Sequence, residues 1–233
     1  DDNINISRER IEEIKLQYDP NSVWYKRDIE GLRIVAEGLI YKQFADTPEK
    51  WLLKDKPMNL QSIQVGIDFG GNKSKHSFVA TGFTRGYKEV IALVSRKYEP
   101  KTPLTLNAQL VDFIKLVQTK YGMIDVIYAD SAEQVLIKGM QKYLLDNNIN
   151  IKIKNSIKNE IIERIRLVNS LVATNRFFYT DDCETLVEAL SNAVYKENDK
   201  MEDERLDDGT SDIDTLDSFE YSIEKHLKLL MKV

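Results

Sequence analysis

The chain has little of what several familiar kinds of site are built from. A single cysteine, Cys183, cannot make an internal disulfide, and it suits a reducing compartment. Two histidines, His76 and His226, lie far apart in sequence and form no cysteine–histidine cluster for zinc. Both read as ordinary surface or packing residues. Ten glycines leave little room for the paired glycine-rich segments that a nucleotide-binding kinase needs, and no GxxxxGK[ST] phosphate loop occurs. No apolar run approaches the roughly 20 residues that cross a bilayer, and no secretory signal opens the chain. The chain begins Asp1-Asp2, without methionine, and is read as an excised piece of something longer.

What is present suits a soluble globular protein: 233 residues, 42% hydrophobic and 30% charged, enough for one good-sized domain or one domain with an appendage. The net charge of −5 argues against a protein whose main task is coating nucleic acid. It does not argue against an enzyme acting on nucleic acid, because a carboxylate cluster is acidic until metal reverses its field.

Residues 1–60 read as a helical segment and linker, and 61–233 as the main domain. Ser7 to Leu16 is a short charged helix, Asp19-Pro20-Asn21-Ser22 a turn, and Val23 to Ala36 a second helix. Tyr41, Phe44 and Trp51 follow without clean periodicity, broken by Pro48 and Pro57. From Ile63 the pattern becomes strand-like. Ile63, Val65 and Ile67 alternate, and Ser77–Phe83 and Glu89–Tyr98 continue an antiparallel meander through a turn at Arg85-Gly86. Leu106–Tyr121 has helical spacing, Ile124–Ala129 is a short strand, Ala132–Leu145 a helix and Ile151–Ile153 a brief strand. Ile157, Ile161, Ile165, Val168 and Leu171 mark a long helix, Phe177–Tyr179 a small strand, and Asp181–Tyr195 a helix begun by its acidic pair. Residues 196–212 are polar and charged, as a solvated loop would be. Leu216, Phe219, Ile223, Leu227 and Leu230 place a last amphipathic helix. This order predicts a mixed α/β domain with one central sheet.

Three aspartates carry the chemistry. Asp68 ends the first strand on the face opposite Ile63, Val65 and Ile67, and Gly70-Gly71 behind it permits a sharp exit. Asp130 ends the strand of Ile124, Val126 and Tyr128 and shares their face. Both therefore stand at C-terminal strand ends, where α/β sheets commonly bind ligands. Asp214 and Asp217 are three apart on the last helix. Each has an ordinary explanation: a turn before glycines for Asp68, a helix N-cap for Asp130, and a capping box with Ser211 for Asp214. Their joint pattern points instead to hard oxygen ligands for Mg²⁺ or Mn²⁺. In a two-ion arrangement Asp68 bridges, Asp130 holds one ion, and Asp217, with Asp214, the other.

With these residues in hand, the chain resembles a family. Asp68 with Gly70-Gly71, the hairpin ending Thr81-Gly82-Phe83, IYADSAE around Asp130 and DTLDSFEY around Asp217 look like the nuclease domain of tailed-phage large terminases. YDPNSVWYKRDIEGLRIVAEGLIYKQF is similar to the stretch that closes the ATPase domain of those proteins and leads into the nuclease. The resemblance implies a ribonuclease H-like mixed sheet flanked by helices, with a short helical N-terminal appendage. It implies a metal-dependent endonuclease that cuts double-stranded DNA concatemers during genome packaging, using two Mg²⁺ or Mn²⁺ ions. The catalytic acids fall on Asp68, Asp130 and Asp217, with Asp214 as a fourth metal ligand and Asp212 as a less certain neighbour. It further implies a separate ATPase domain, a small terminase subunit and a capsid portal as partners, in the cytoplasm of the host.

Other readings compete. IDFGGNKS also resembles the first phosphate-binding turn of sugar kinases and actin-like ATPases, but a second glycine-rich segment is missing. A junction resolvase or RNA–DNA hybrid nuclease of the same fold, or a non-catalytic assembly module, are further alternatives. Lys152, Lys154, Lys158, Arg164 and Arg166 are candidate phosphate contacts. The acidic stretch 196–212 would repel DNA if it moved over the site, an autoinhibitory reading.

Overall fold

The structure, a computed structural model, describes residues 7–18, 20, 25–26, 29–32, 38–70, 75–99, 102–196, 204–208 and 211–232. The expected helix over 23–36 lies mostly outside these residues, as do Gly71 and much of the loop 196–212. A short helix α1 (Arg8–Lys15), capped by Ser7, and a one-turn helix α2 (Lys42–Asp46) precede the sheet.

Six strands form one sheet: β1 (Ser62–Asp68), β2 (His76–Phe83), β3 (Val90–Tyr98), β4 (Val126–Ala129), β5 (Lys152–Asn155) and β6 (Phe177–Tyr179). Their order is β5-β4-β1-β2-β3-β6. β1, β2 and β3 are the expected antiparallel meander, β4 and β5 run parallel to β1 on one side, and β6 runs parallel to β3 on the other. The reversal at Arg85-Gly86-Tyr87 places Gly86 at φ 72°, a conformation that glycine adopts at little cost.

Strand alternation sorts side chains onto two faces. Ile63, Val65, Ile67, Ile127 and Ala129 pack under α3 (Pro103–Tyr121) and α4 (Gln134–Asp146), through Leu110, Phe113, Ile114, Ile137 and Leu144. The other face packs under α5 (Ile161–Ala173), α6 (Glu184–Asn192) and α7 (Ile213–Ile223), through Ile165, Val168, Leu190, Leu216 and Phe219. A short α8 (Leu227–Leu230) follows α7. Ile40, Tyr41, Phe44 and Trp51 are buried in this second core, on the side of the sheet that carries α7, whereas Leu53 packs against the first.

Several element boundaries differ from those read in the sequence. Ile157 fits the stripe of α5, yet the helix begins at Ile161, because the Glu224 carboxylate accepts from the N–H groups of Ile157, Lys158 and Asn159 at 2.7–3.0 Å. Those three amides would otherwise enter the helix. α6 starts at Glu184 rather than Asp181: Asp182 accepts instead from Arg96 and Lys120. The cap of α7 is Asp212, not Ser211; its carboxylate accepts from Thr215 N–H and Oγ1 and pairs with Lys97. Ile124 precedes β4 and belongs to the core under α3, not to the face of Asp130.

Candidate active site

α7 lies unusually close to β1. A Cβ placed on Gly66 would stand 1.7 Å from the Ser218 carbonyl oxygen, so only glycine admits the helix at this depth. Small polar groups line the seam. Ser218 Oγ accepts from the Asp68 N–H at 2.9 Å and donates to the Ser77 carbonyl at 2.8 Å. Ser77 Oγ donates to Thr215 Oγ1, and the Thr81 and Ser222 hydroxyls are 2.6 Å apart. Thr215, Ser218 and Ser222 fall on one helical face, each finding a hydrogen-bond partner that an apolar contact would leave unpaired.

This seam sets Asp217 against the end of β1. Asp68 is the last residue of β1, buried on the α7 face, as alternation predicts. Asp130 follows β4; its N–H donates to the Ile67 carbonyl at 3.0 Å, which fixes it beside Asp68. Asp214 occupies the first turn of α7 and Asp217 the next. The four carboxylates share one electrostatic neighbourhood. Burial, and then the charges of Asp217, Asp214 and Asp130, push the Asp68 carboxyl up to about 8, with Lys158 pulling the other way.

Each of the outer two aspartates is held by one oxygen. Asp130 Oδ1 accepts from the Ala132 N–H at 2.9 Å and pairs with Lys158 Nζ at 2.5 Å. The capping explanation thus becomes a turn: α4 begins only at Gln134. Asp217 Oδ1 accepts from Arg164 at 3.0 Å and Arg205 at 3.2 Å. The second oxygens, Oδ2 of Asp130 and of Asp217, make no hydrogen bond or ion pair within the described residues. Among the described residues no three acidic, histidine or cysteine side chains close around a common point. The donor set is nevertheless of the kind a hard cation takes: carboxylates only, two of their oxygens without a partner among the described residues, beside a carboxyl whose proton burial and then like charges retain.

Sequence reading missed the support of this site. Glu220, fully buried on α7, accepts from Arg164 at 2.8 Å, from Arg205 at 2.7 and 3.0 Å, and from the Tyr41 hydroxyl at 3.1 Å. Burial pushes its carboxyl up, against the pull of both guanidinium groups. Arg164 is therefore not a surface phosphate contact, as expected from its position, but a buried brace for Glu220 and Asp217. Its place in the apolar stripe of α5, between Ile161 and Ile165, was the available signal. Tyr221 is buried against Val126 and Tyr128, its hydroxyl pushed up by burial and by Asp217, Asp68 and Asp130. Asp212 serves as the helix cap. His76 packs edge-on to Phe69, and His226 packs on Phe83 and Tyr87, so both are packing residues as expected.

A sheet in which two strands run parallel to the first, beside a three-strand antiparallel meander, with a carboxylate-bearing helix crossing the first strand, defines the ribonuclease H-like class. Within that class the chain has the fold of the nuclease domains of phage large terminases. It superposes on the large terminase of a thermophilic bacteriophage with a TM-score of 0.77 and 22% identity, over 97% of this chain and 54% of that one. It also superposes on the P22 large terminase nuclease domain (TM-score 0.59, 12% identity, 84% and 99% covered). The SPP1 large terminase nuclease domain, solved with bound Mn, gives a TM-score of 0.55 at 15% identity, with 82% and 99% covered. The chain thus spans about half the length of the thermophilic-phage protein. No protein-family model and no curated protein matches its sequence.

Proposed function

We propose that this chain is the nuclease part of a phage large terminase, a divalent-metal-dependent endonuclease that cuts double-stranded DNA during genome packaging. One observation supports the reading most: the Asp130 N–H on the Ile67 carbonyl and the Ser218 hydroxyl on the Asp68 N–H bring Asp130, Asp68 and the helix of Asp217 into one electrostatic neighbourhood, with Oδ2 of Asp130 and of Asp217 unpaired among the described residues. The large terminase fold and the nuclease domains solved with Mn and magnesium support it. Asp68, Asp130 and Asp217, with Asp214, would hold two Mg²⁺ or Mn²⁺ ions. Bound there, such ions supply positive charge for the attack of water on a phosphodiester and for departure of the leaving oxygen.

The protein's own groups do the rest. Arg164 and Arg205 fix the rotamer of Asp217, and Ser218 fixes the backbone of Asp68. Lys158 holds Asp130 in place by its Oδ1. In this reading residues 1–60 belong to the end of an ATPase domain, and 61–233 to the nuclease. The motor ATPase domain, a small subunit and a portal are partners of the whole protein, which works in the host cytoplasm. Among the described residues no helix is long and apolar enough to cross a membrane.

The direct test is incubation with supercoiled plasmid and Mn²⁺ or Mg²⁺. Nicking and linearisation without strong sequence preference, abolished by EDTA, is the expected result. Asp68→Ala, Asp130→Ala and Asp217→Ala should each abolish it while the fold persists. Full activity in any of the three removes that residue from the site, and an inert wild-type chain removes the reading.

A further inference from the structure

The chain is acidic overall, with a net charge of −5, and its candidate site is a carboxylate cluster. A polyanion needs a cationic approach to such a site, and β5 offers one. β5 is the edge strand next to β4. In the parallel register Lys152 stands beside Val126 and Lys154 beside Tyr128. Val126 and Tyr128 pack on Tyr221 of α7, whereas Ile153 packs into the opposite core. Lys152 and Lys154 therefore project from the sheet face that carries Asp68 and Asp130. Both are exposed, beyond the cover of α7, and neither has a hydrogen-bond or ion-pair partner among the described residues. They are spaced by two strand steps, about 6.6 Å.

The row leads into the site. One step past β5, the Ser156 N–H donates to the Ala129 carbonyl, which keeps the chain in register beside the end of β4. Lys158 then turns back at φ 56° and sets its ammonium on Asp130. That turn is locked by the buried Glu224 carboxylate, which accepts from three successive backbone N–H groups.

We propose that the exposed lysine row of β5, Lys152 and Lys154, is the docking surface for the phosphate backbone of the DNA strand to be cut, and that it delivers that strand to the acids past Lys158. The proposal rests on the endonuclease reading above. Lysines on an edge strand also discourage pairing with another sheet, but that role is blind to substrate and to salt.

The test compares two double variants of the full chain, each losing two exposed lysines. Lys152→Ala with Lys154→Ala empties the row. Lys115→Ala with Lys138→Ala removes equal charge from α3 and α4, on the other side of the sheet. Initial rates of duplex cleavage with Mn²⁺ are measured across a range of NaCl concentrations. For the row variant KM rises about tenfold, kcat stays within about twofold, and the slope of log KM on log salt falls by about 1.8. The control pair leaves all three unchanged. An unchanged KM and salt slope in the row variant, an equal effect from the control pair, or a loss confined to kcat overturns the docking row while leaving the nuclease reading intact. A wild-type chain that neither cuts nor binds duplex overturns both.

Discussion

Gly66→Ala isolates the packing that makes the site. The added methyl would lie 1.7 Å from the Ser218 carbonyl oxygen, a backbone atom that no rotamer change can move aside. To restore ordinary contact of about 3.5 Å, α7 must retreat by nearly 2 Å. That retreat stretches the Ser218 bonds to Asp68 and Ser77 and the Thr81–Ser222 bond. Overpacking typically costs about 1–3 kcal/mol, and each buried hydrogen bond about 1 kcal/mol. Together, with three such bonds, they predict a loss of roughly 4–6 kcal/mol in urea denaturation. The same retreat carries Asp217 away from Asp68, so cleavage should fall by at least about a hundredfold even where the variant is folded. Gly139→Ala is the matched control. Its methyl meets nothing within 4 Å on α4, and alanine favours the helix by up to about 1 kcal/mol. If Gly66→Ala matches wild type in stability and cleavage, the close approach of α7 to β1 is not what assembles the site.

Three further outcomes follow from the same geometry. In EDTA, the Asp68 carboxyl keeps its proton in the folded state up to about 8 but releases it near 3.8 when unfolded, so stability falls as pH rises through that window and stays low above it. Asp68→Asn should therefore match wild type near pH 4 and exceed it at pH 9, by on the order of 3 kcal/mol after solvent relaxation; equal denaturation midpoints at both pH values would refute this. Arg205→Met leaves the buried Glu220 with one guanidinium partner fewer and should cost about 3–5 kcal/mol by chemical denaturation. Cys183 is fully buried and its thiol is pushed up to about 12, so a thiol reagent at pH 8 should label it only after unfolding.

The parts legible in the sequence are those governed by short-range rules. Alternation placed Asp68 opposite Ile63, Val65 and Ile67, and the glycine-marked turn at Arg85-Gly86 gave the meander. The helical stripe of Leu216, Phe219 and Ile223 located α7, and with it Asp217. What escaped depends on partners distant in sequence. Ile157 obeys helical spacing, but Glu224, 67 positions on, takes its amide for a loop. Glu220 is a charged residue inside an apolar stripe, intelligible only once Arg164 and Arg205 arrive from other segments. Arg205 sits in a charged stretch with no periodicity, so no local pattern marks it as buried. Tyr41, Phe44 and Trp51 lack a helical or strand period because they fill gaps between elements rather than lining one.

The most direct test of the central claim, that Asp68 of β1, Asp130 just after β4 and Asp217 of α7 form one metal centre, is anomalous diffraction from crystals soaked in Mn²⁺. The account predicts peaks between the Asp68, Asp130 and Asp217 carboxylates, at about 2.0–2.3 Å from their oxygens, and their loss in Asp68→Ala. Peaks confined to other carboxylates, or none at millimolar Mn²⁺, would contradict it.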